Sequence, residues 1–273
     1  MSRARKSVLY WLLLAPLVVV ILFPYAVMLS TALKPRDELM TPMWLPSRVD
    51  LANFPEMWRE VAFGQALLNS LYVGIAATLL CLVVAIPAAY ATSRFRFPGR
   101  GLYRQFLLIT QMLSPIVLVI GIFRLMAMLG LVDQLNSLVL TYGAFGLAFA
   151  IWMLQSYFQT IPREIEEAAW IDGASWLQAL RLVFLPLALP AVAVTAILTF
   201  INAWNEFVLA LTTLRSEEQY TLTLKVFSLV GGRYSIDWDT VMAATFLATV
   251  PVAIVFAWLQ RYLIRGLALA GVK

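Results

Sequence analysis

The chain has 273 residues, 62% of them apolar and only 13% charged, against roughly 25% charged in an ordinary soluble domain; a soluble globular protein is excluded. It has no histidine and one cysteine, Cys81, which removes disulfides, zinc centres and Cys/His catalysis. None of its lysines follows a glycine, so the Gly-x-x-x-x-Gly-Lys phosphate loop is absent and the chain does not bind ATP by that route.

Six apolar segments follow in order, 8–33, 67–93, 102–129, 138–157, 187–211 and 240–264. A span needs about 20 mainly apolar residues to cross a hydrocarbon layer of about 30 Å. Backbone groups in lipid must pair internally and no barrel-type alternation is present, so the expectation is an all-α membrane protein of six helices. Pro16, Pro87, Pro115, Pro190 and Pro251 fall within or at the ends of these segments, where proline is tolerated and bends the helix. The first apolar run is too long for a cleaved signal and is read as a retained span. Cys81, in mid-span, is read as a small buried apolar side chain.

Orientation follows the cations. With the N-terminus inside, twelve Lys and Arg lie in the cytoplasm and seven in the outer loops, which also hold ten of the fifteen acids. Both termini are then cytoplasmic, and the net charge of +5 points to membrane lipid, not nucleic acid. The outer segments 34–66 and 212–239 carry Trp44, Trp58 and Trp238, which suit interfacial anchoring. Their alternative role is to meet a partner outside the membrane.

The cytoplasmic loop 159–186 is the most informative stretch. Pro162 suits a first helical position, Glu164, Glu166 and Glu167 suit the positive end of a helix dipole, and Gly173 suits a left-handed stop. The predicted helix, 162–172, makes about three turns, roughly 16 Å. Ile165, Ala168, Ala169 and Asp172 share one face, with the glutamates mostly on another. Small side chains allow close approach, so the helix is read as lying in a groove on a soluble partner. A lipid-surface helix would favour cations where this one places glutamates.

Glu167-Ala168-Ala169, three residues, Gly173, nine residues, Val183, one residue and Leu185-Pro186 resembles the EAA loop of ABC importer permeases, with Val183 standing where that pattern has isoleucine. Ala203-Trp204-Asn205-Glu206-Phe207, and Gln260-Arg261-Tyr262 to Ala270-Gly271-Val272-Lys273, resemble the maltose-type (MalG-like) sugar permeases. The resemblance implies one transmembrane permease domain over 1–273 in a bacterial-type inner membrane, pairing with a second, different permease of six or more spans. It implies an ABC ATPase dimer that docks on Glu167, Ala168, Ala169, Asp172 and Gly173, and an extracytoplasmic solute-binding protein. In that reading Glu167 contacts the ATPase, the alanines give close approach, Gly173 gives the sharp exit and Asp172 caps or pairs locally. The outer loop around Gly231 and Gly232 reaches the binding protein, and the tail around Gly271 and Lys273 approaches the ATPase. The chain itself is non-catalytic and holds no cofactor; ATP and Mg belong to the ATPase.

Glu206 is the one acid inside a span, and a charge there costs about 2.5–3.5 kcal/mol at the bilayer centre. With Asn202 and Asn205 it forms a polar patch on one helical face, either lining a pore or joining helices across subunits. Arg124, near the outer end of the third segment, is expected to reach the interface. A stand-alone secondary transporter or channel is the alternative, but it predicts paired repeats or intramembrane ion-pair relays, and neither is visible.

Overall fold

The computed structural model describes residues 3–231 and 236–270. Every regular element among them is helical. The α-helices in chain order are α1 (Arg3–Ala32), α2 (Asn53–Glu60), α3 (Phe63–Arg94), α4 (Arg100–Met112), α5 (Pro115–Met128), α6 (Leu135–Phe158), α7 (Glu164–Ile171), α8 (Trp176–Gln178), α9 (Leu185–Asn205), α10 (Val208–Thr213), α11 (Leu222–Val230) and α12 (Trp238–Ala270). A π-helical turn, Ala179–Phe184, joins α8 to α9. The structure falls into two compact units, Met1–Gln65 with Lys225–Pro251, and Ala66–Leu224 with Val252–Lys273.

Five described helices are long and apolar enough to cross a membrane: Trp11–Ala32, Phe63–Arg94, Leu135–Phe158, Trp176–Asn205 and Trp238–Trp258. The expected third span is not one rod. It is α4 and α5, meeting at 98°. Ser114 is extended (φ −71°, ψ 131°), the conformation favoured for a residue before proline, and Pro115 restarts the helix where its missing N–H costs nothing. The expected fifth span breaks as well. α9 stops at Asn205, Glu206 is extended (φ −70°, ψ 134°), and α10 begins two residues later.

In the first unit, the chain after α1 folds back on the end of that helix. The Asn53 side-chain amide donates to the carbonyls of Ala32 (2.9 Å) and Lys34 (3.0 Å), satisfying carbonyls left open at a helix terminus. Arg36 bridges Glu56 and Asp239, each at 3.1 Å. Asp239 sits in the first turn of α12, where a carboxylate favours the helix dipole. Met57 and Phe63 are each 1% exposed.

In the second unit two apolar clusters sit at different levels of the helices. One gathers Tyr90, Leu154, Phe158 and Phe184; the other gathers Val73, Leu138, Tyr142, Ala203 and Leu209. α3 and α9 touch where Gly74 leaves room for Phe200: a methyl group at Gly74 would lie 2.7 Å from that ring. Small residues at helix contacts let membrane helices approach. Cys81 is fully buried, as expected. Asn69 donates to the carbonyls of Glu218 (2.8 Å) and Tyr220 (3.0 Å), and Ser70 Oγ accepts the Leu222 N–H (2.7 Å), which fixes the chain after α10 to α3.

Candidate functional site

The segment between α6 and α9 forms a short projecting hairpin. α7 covers 164–171, shorter than the predicted 162–172. Its three glutamates do not share one solvated face. Glu164 and Glu167 are exposed, whereas Glu166 is 2% exposed and its carboxylate lies 2.5 Å from Arg94 Nε, on a side chain itself only 5% exposed. Tyr90 Oη donates to Glu166 at 3.0 Å, and Arg94 also donates to the Ile161 carbonyl at 2.8 Å. The Arg94 guanidinium lies 5.0 Å from the centre of the Phe184 ring, and Phe184 packs edge-on against Tyr90 and Phe158. A buried charge is tolerable only when paired and hydrogen-bonded, and this one is held from three sides.

The face predicted to dock is split by this anchor. Ile165 packs against the chain's own core and Ala169 is 9% exposed. Glu167, Ala168 and Asp172 face outward. So do Trp170 (43% exposed) and Ile171 (86%), which sequence reasoning passed over; a Trp-Ile pair at the polar end of a short helix was the available signal. Asp172 itself is the C-terminal cap residue, with its N–H on the Ala168 carbonyl.

Gly173 has φ +85°. Its N–H meets the Trp170 carbonyl and the Ala174 N–H meets the Ala169 carbonyl, both at 3.0 Å, the paired bonds of a Schellman stop. A methyl group at Gly173 would meet nothing within 4 Å, so the requirement is conformational and not one of space. Ser175 then opens α8 with a reciprocal capping box to Gln178.

A second feature lies in the same unit. A cavity of about 300 Å³ opens between the α4–α5 bend, one face of α6 and the end of α9. Asn202 and Glu206 line it and Asn205 does not, so the expected three-residue patch is brought together only in part. Glu206 does not project from a continuous helix. Its carboxylate accepts the N–H groups of Leu209 (2.9 Å) and Ala210 (3.3 Å) and the Tyr142 hydroxyl (2.5 Å), which caps α10. Arg124 is exposed on α5. Gly231 is exposed at the end of α11, its N–H on the Phe227 carbonyl at 3.1 Å. Gly232, Gly271 and Lys273 lie outside the described residues.

Residues 82–269 match the family described as Binding-protein-dependent transport system inner membrane component. The trehalose transport system permease protein SugB of Mycobacterium tuberculosis is 34% identical over 272 residues, 99% of each chain. The trehalose/maltose transport system permease protein MalG of Thermococcus litoralis is 32% identical over 257 residues, 93% of this chain and 92% of that one. Among solved structures, a chain of a bacterial ABC transporter involved in import of the acidic polysaccharide alginate superposes with a TM-score of 0.82 at 26% identity, covering 96% of this chain and 98% of that one.

Proposed function

Because the chain belongs to the family of binding-protein-dependent transport system inner membrane components, we propose that it is the membrane subunit of an ATP-driven importer for a sugar, oligosaccharide or polyol. It is a multi-pass protein of a bacterial inner membrane. As the permease subunit of an ABC transporter it is not an enzyme, and ATP is bound by the separate ATPase. The sugar assignment draws on the relatives, whose names give trehalose and maltose.

In this reading both termini are cytoplasmic, a second, different permease completes the pathway, and a solute-binding protein delivers the cargo from outside. An ATPase dimer grips the hairpin around α7 through Glu167, Ala168, Asp172 and the apolar pair Trp170 and Ile171, with Gly173 setting the exit. The observation that carries this is the asymmetry of α7. Behind, it is locked to α3 by the buried Glu166–Arg94 pair; in front, it exposes a mixed acidic and apolar surface, the composition of a helix laid in a partner's groove. A helix so held passes a push to α3 instead of absorbing it.

The test is gentle detergent purification from native cells with mass identification of the co-eluting chains, alongside uptake of radiolabelled trehalose and maltose by cells with and without the gene. An ATPase and a second permease co-eluting, with uptake of a sugar lost on deletion, is the expected result. Elution alone under several detergents would count against it.

A further inference from the structure

We infer that the cavity at the α4–α5 bend is a binding subsite for an uncharged saccharide unit, and that its chemistry rejects acidic sugars. The inference rests on the import reading above and adds the class of cargo. At about 300 Å³ the cavity is at the lower end of the roughly 300–1,000 Å³ typical of small-molecule sites.

Its walls match a sugar in two ways. Phe145 and Phe149 stand one helical turn apart on α6 and both line the cavity, giving apolar aromatic surface for the C–H faces of a ring. Gln111 and Asn202 enter from α4 and α9. A carboxamide both donates and accepts, and so does a sugar hydroxyl. Both amides are exposed at membrane depth, where an amide left in hydrocarbon would cost several kcal/mol; that face therefore looks onto a polar path. Deeper in, Thr199 is 3% exposed and its hydroxyl meets the weak thiol of Cys81, with no stronger hydrogen-bond partner among the described residues. A hydroxyl-bearing solute would supply what it lacks.

The charge balance sets the selectivity. None of the thirteen lining residues is Lys or Arg, and Glu206 is the one charged group. Its carboxylate is already engaged by Tyr142, Leu209 and Ala210. It stays in place as a cap, not as a ligand, while its negative charge repels an anion in a low-dielectric setting. A uronate carboxylate would find no cation here, whereas a neutral ring would lose nothing.

Saturation-transfer NMR on the detergent-purified protein, with whatever subunits co-elute, tests this without the filter of a binding protein. The probes are the methyl glycosides of glucose, galactose, mannose and N-acetylglucosamine, and the methyl glycoside of glucuronate. At least one neutral glycoside should receive saturation and the glucuronoside none. Gln111→Ala, at the exposed mouth, and Asn202→Ala should each weaken binding about tenfold, the scale of one hydrogen bond; co-elution of the same subunits checks assembly. No transfer to any neutral glycoside, equal transfer to the glucuronoside, or unchanged binding in both variants would overturn the subsite. Sugar uptake by the cells alongside any of those results would leave the importer standing and remove only the cavity's role.

Discussion

Arg94 at the end of α3 and Glu166 in the first turn of α7 form an ion pair 2.5 Å apart, with side chains 5% and 2% exposed. The pair ties the hairpin after α6 to a helix 72 positions earlier in the chain. Its energetics are unforgiving in one direction. Replacing both charges of a buried pair by apolar groups is often neutral, but removing one partner costs about 3–5 kcal/mol because the other charge is stranded.

Glu166→Ala is therefore expected to lower the thermal midpoint of the purified protein by several degrees and to abolish uptake. Arg94→Met with Glu166→Leu should restore most of the midpoint. A single Ala variant melting with the wild type would show that the pair holds nothing together.

Gly173 gives a sharper test because nothing crowds it. A residue with a Cβ at φ +85° pays about 1–2 kcal/mol, and asparagine pays least. Uptake should fall in the order Gly, Asn, Ala, Val at this position, with insertion unchanged. Equal uptake for Gly173→Val and wild type would mean that the exit of α7 need not be sharp.

The fold class and the short helix after α6 were legible in sequence for different reasons. Long apolar runs announce spans whatever surrounds them. Glu167-Ala168-Ala169 and Gly173 announce a short capped helix because dipole, small face and stop agree locally. What was hidden depends on partners far away in sequence. Nothing local distinguishes Glu166 from Glu164 or Glu167; only Arg94 does. The interruption at Glu206 was masked because apolar residues continue through 211, and the cap it forms needs Tyr142 from another helix. Pro115 did mark the α4–α5 boundary, but prolines of the same kind at Pro87, Pro190 and Pro251 lie inside continuous helices, so proline alone does not say where a span will fold at 98°.

Asp133 carries a pH signature. Hydrogen bonds from the Ser216 hydroxyl, then from the N–H groups of Ser216 and Arg215, hold its carboxyl below the ordinary value of 3.8. A depressed folded-state pKa contributes stability that is complete above the unfolded value and lost as pH falls through the folded one. Asp133→Asn keeps a residue that tolerates φ +61° but removes the charge. The variant should melt below the wild type at pH 7 and pH 5, and the gap should begin to close as pH falls past the ordinary value of 3.8 and go on closing through the lower folded-state value. A gap that stays constant down to pH 3 would exclude the charge as its source.

Glu206 and Tyr142 should behave as a unit. Glu206→Gln keeps one acceptor for the α10 N–H groups and is expected to cost about 0.5–2 kcal/mol, the range for a lost helix cap. Glu206→Ala removes the cap and strands the Tyr142 hydroxyl, 6% exposed, adding about 1–3 kcal/mol for an unsatisfied buried group. Tyr142→Phe in the Glu206→Ala background should then recover part of that loss, a non-additivity expected of neighbours sharing a hydrogen bond. Thermal midpoints of the wild type, Glu206→Ala, Tyr142→Phe and the double variant measure it, with Glu206→Gln beside them and each protein checked for the chains that co-elute. Strict additivity would separate the two residues. Loss of the partner from Glu206→Gln alone, with the midpoint intact, would move Glu206 from a cap within this chain to a contact between permeases.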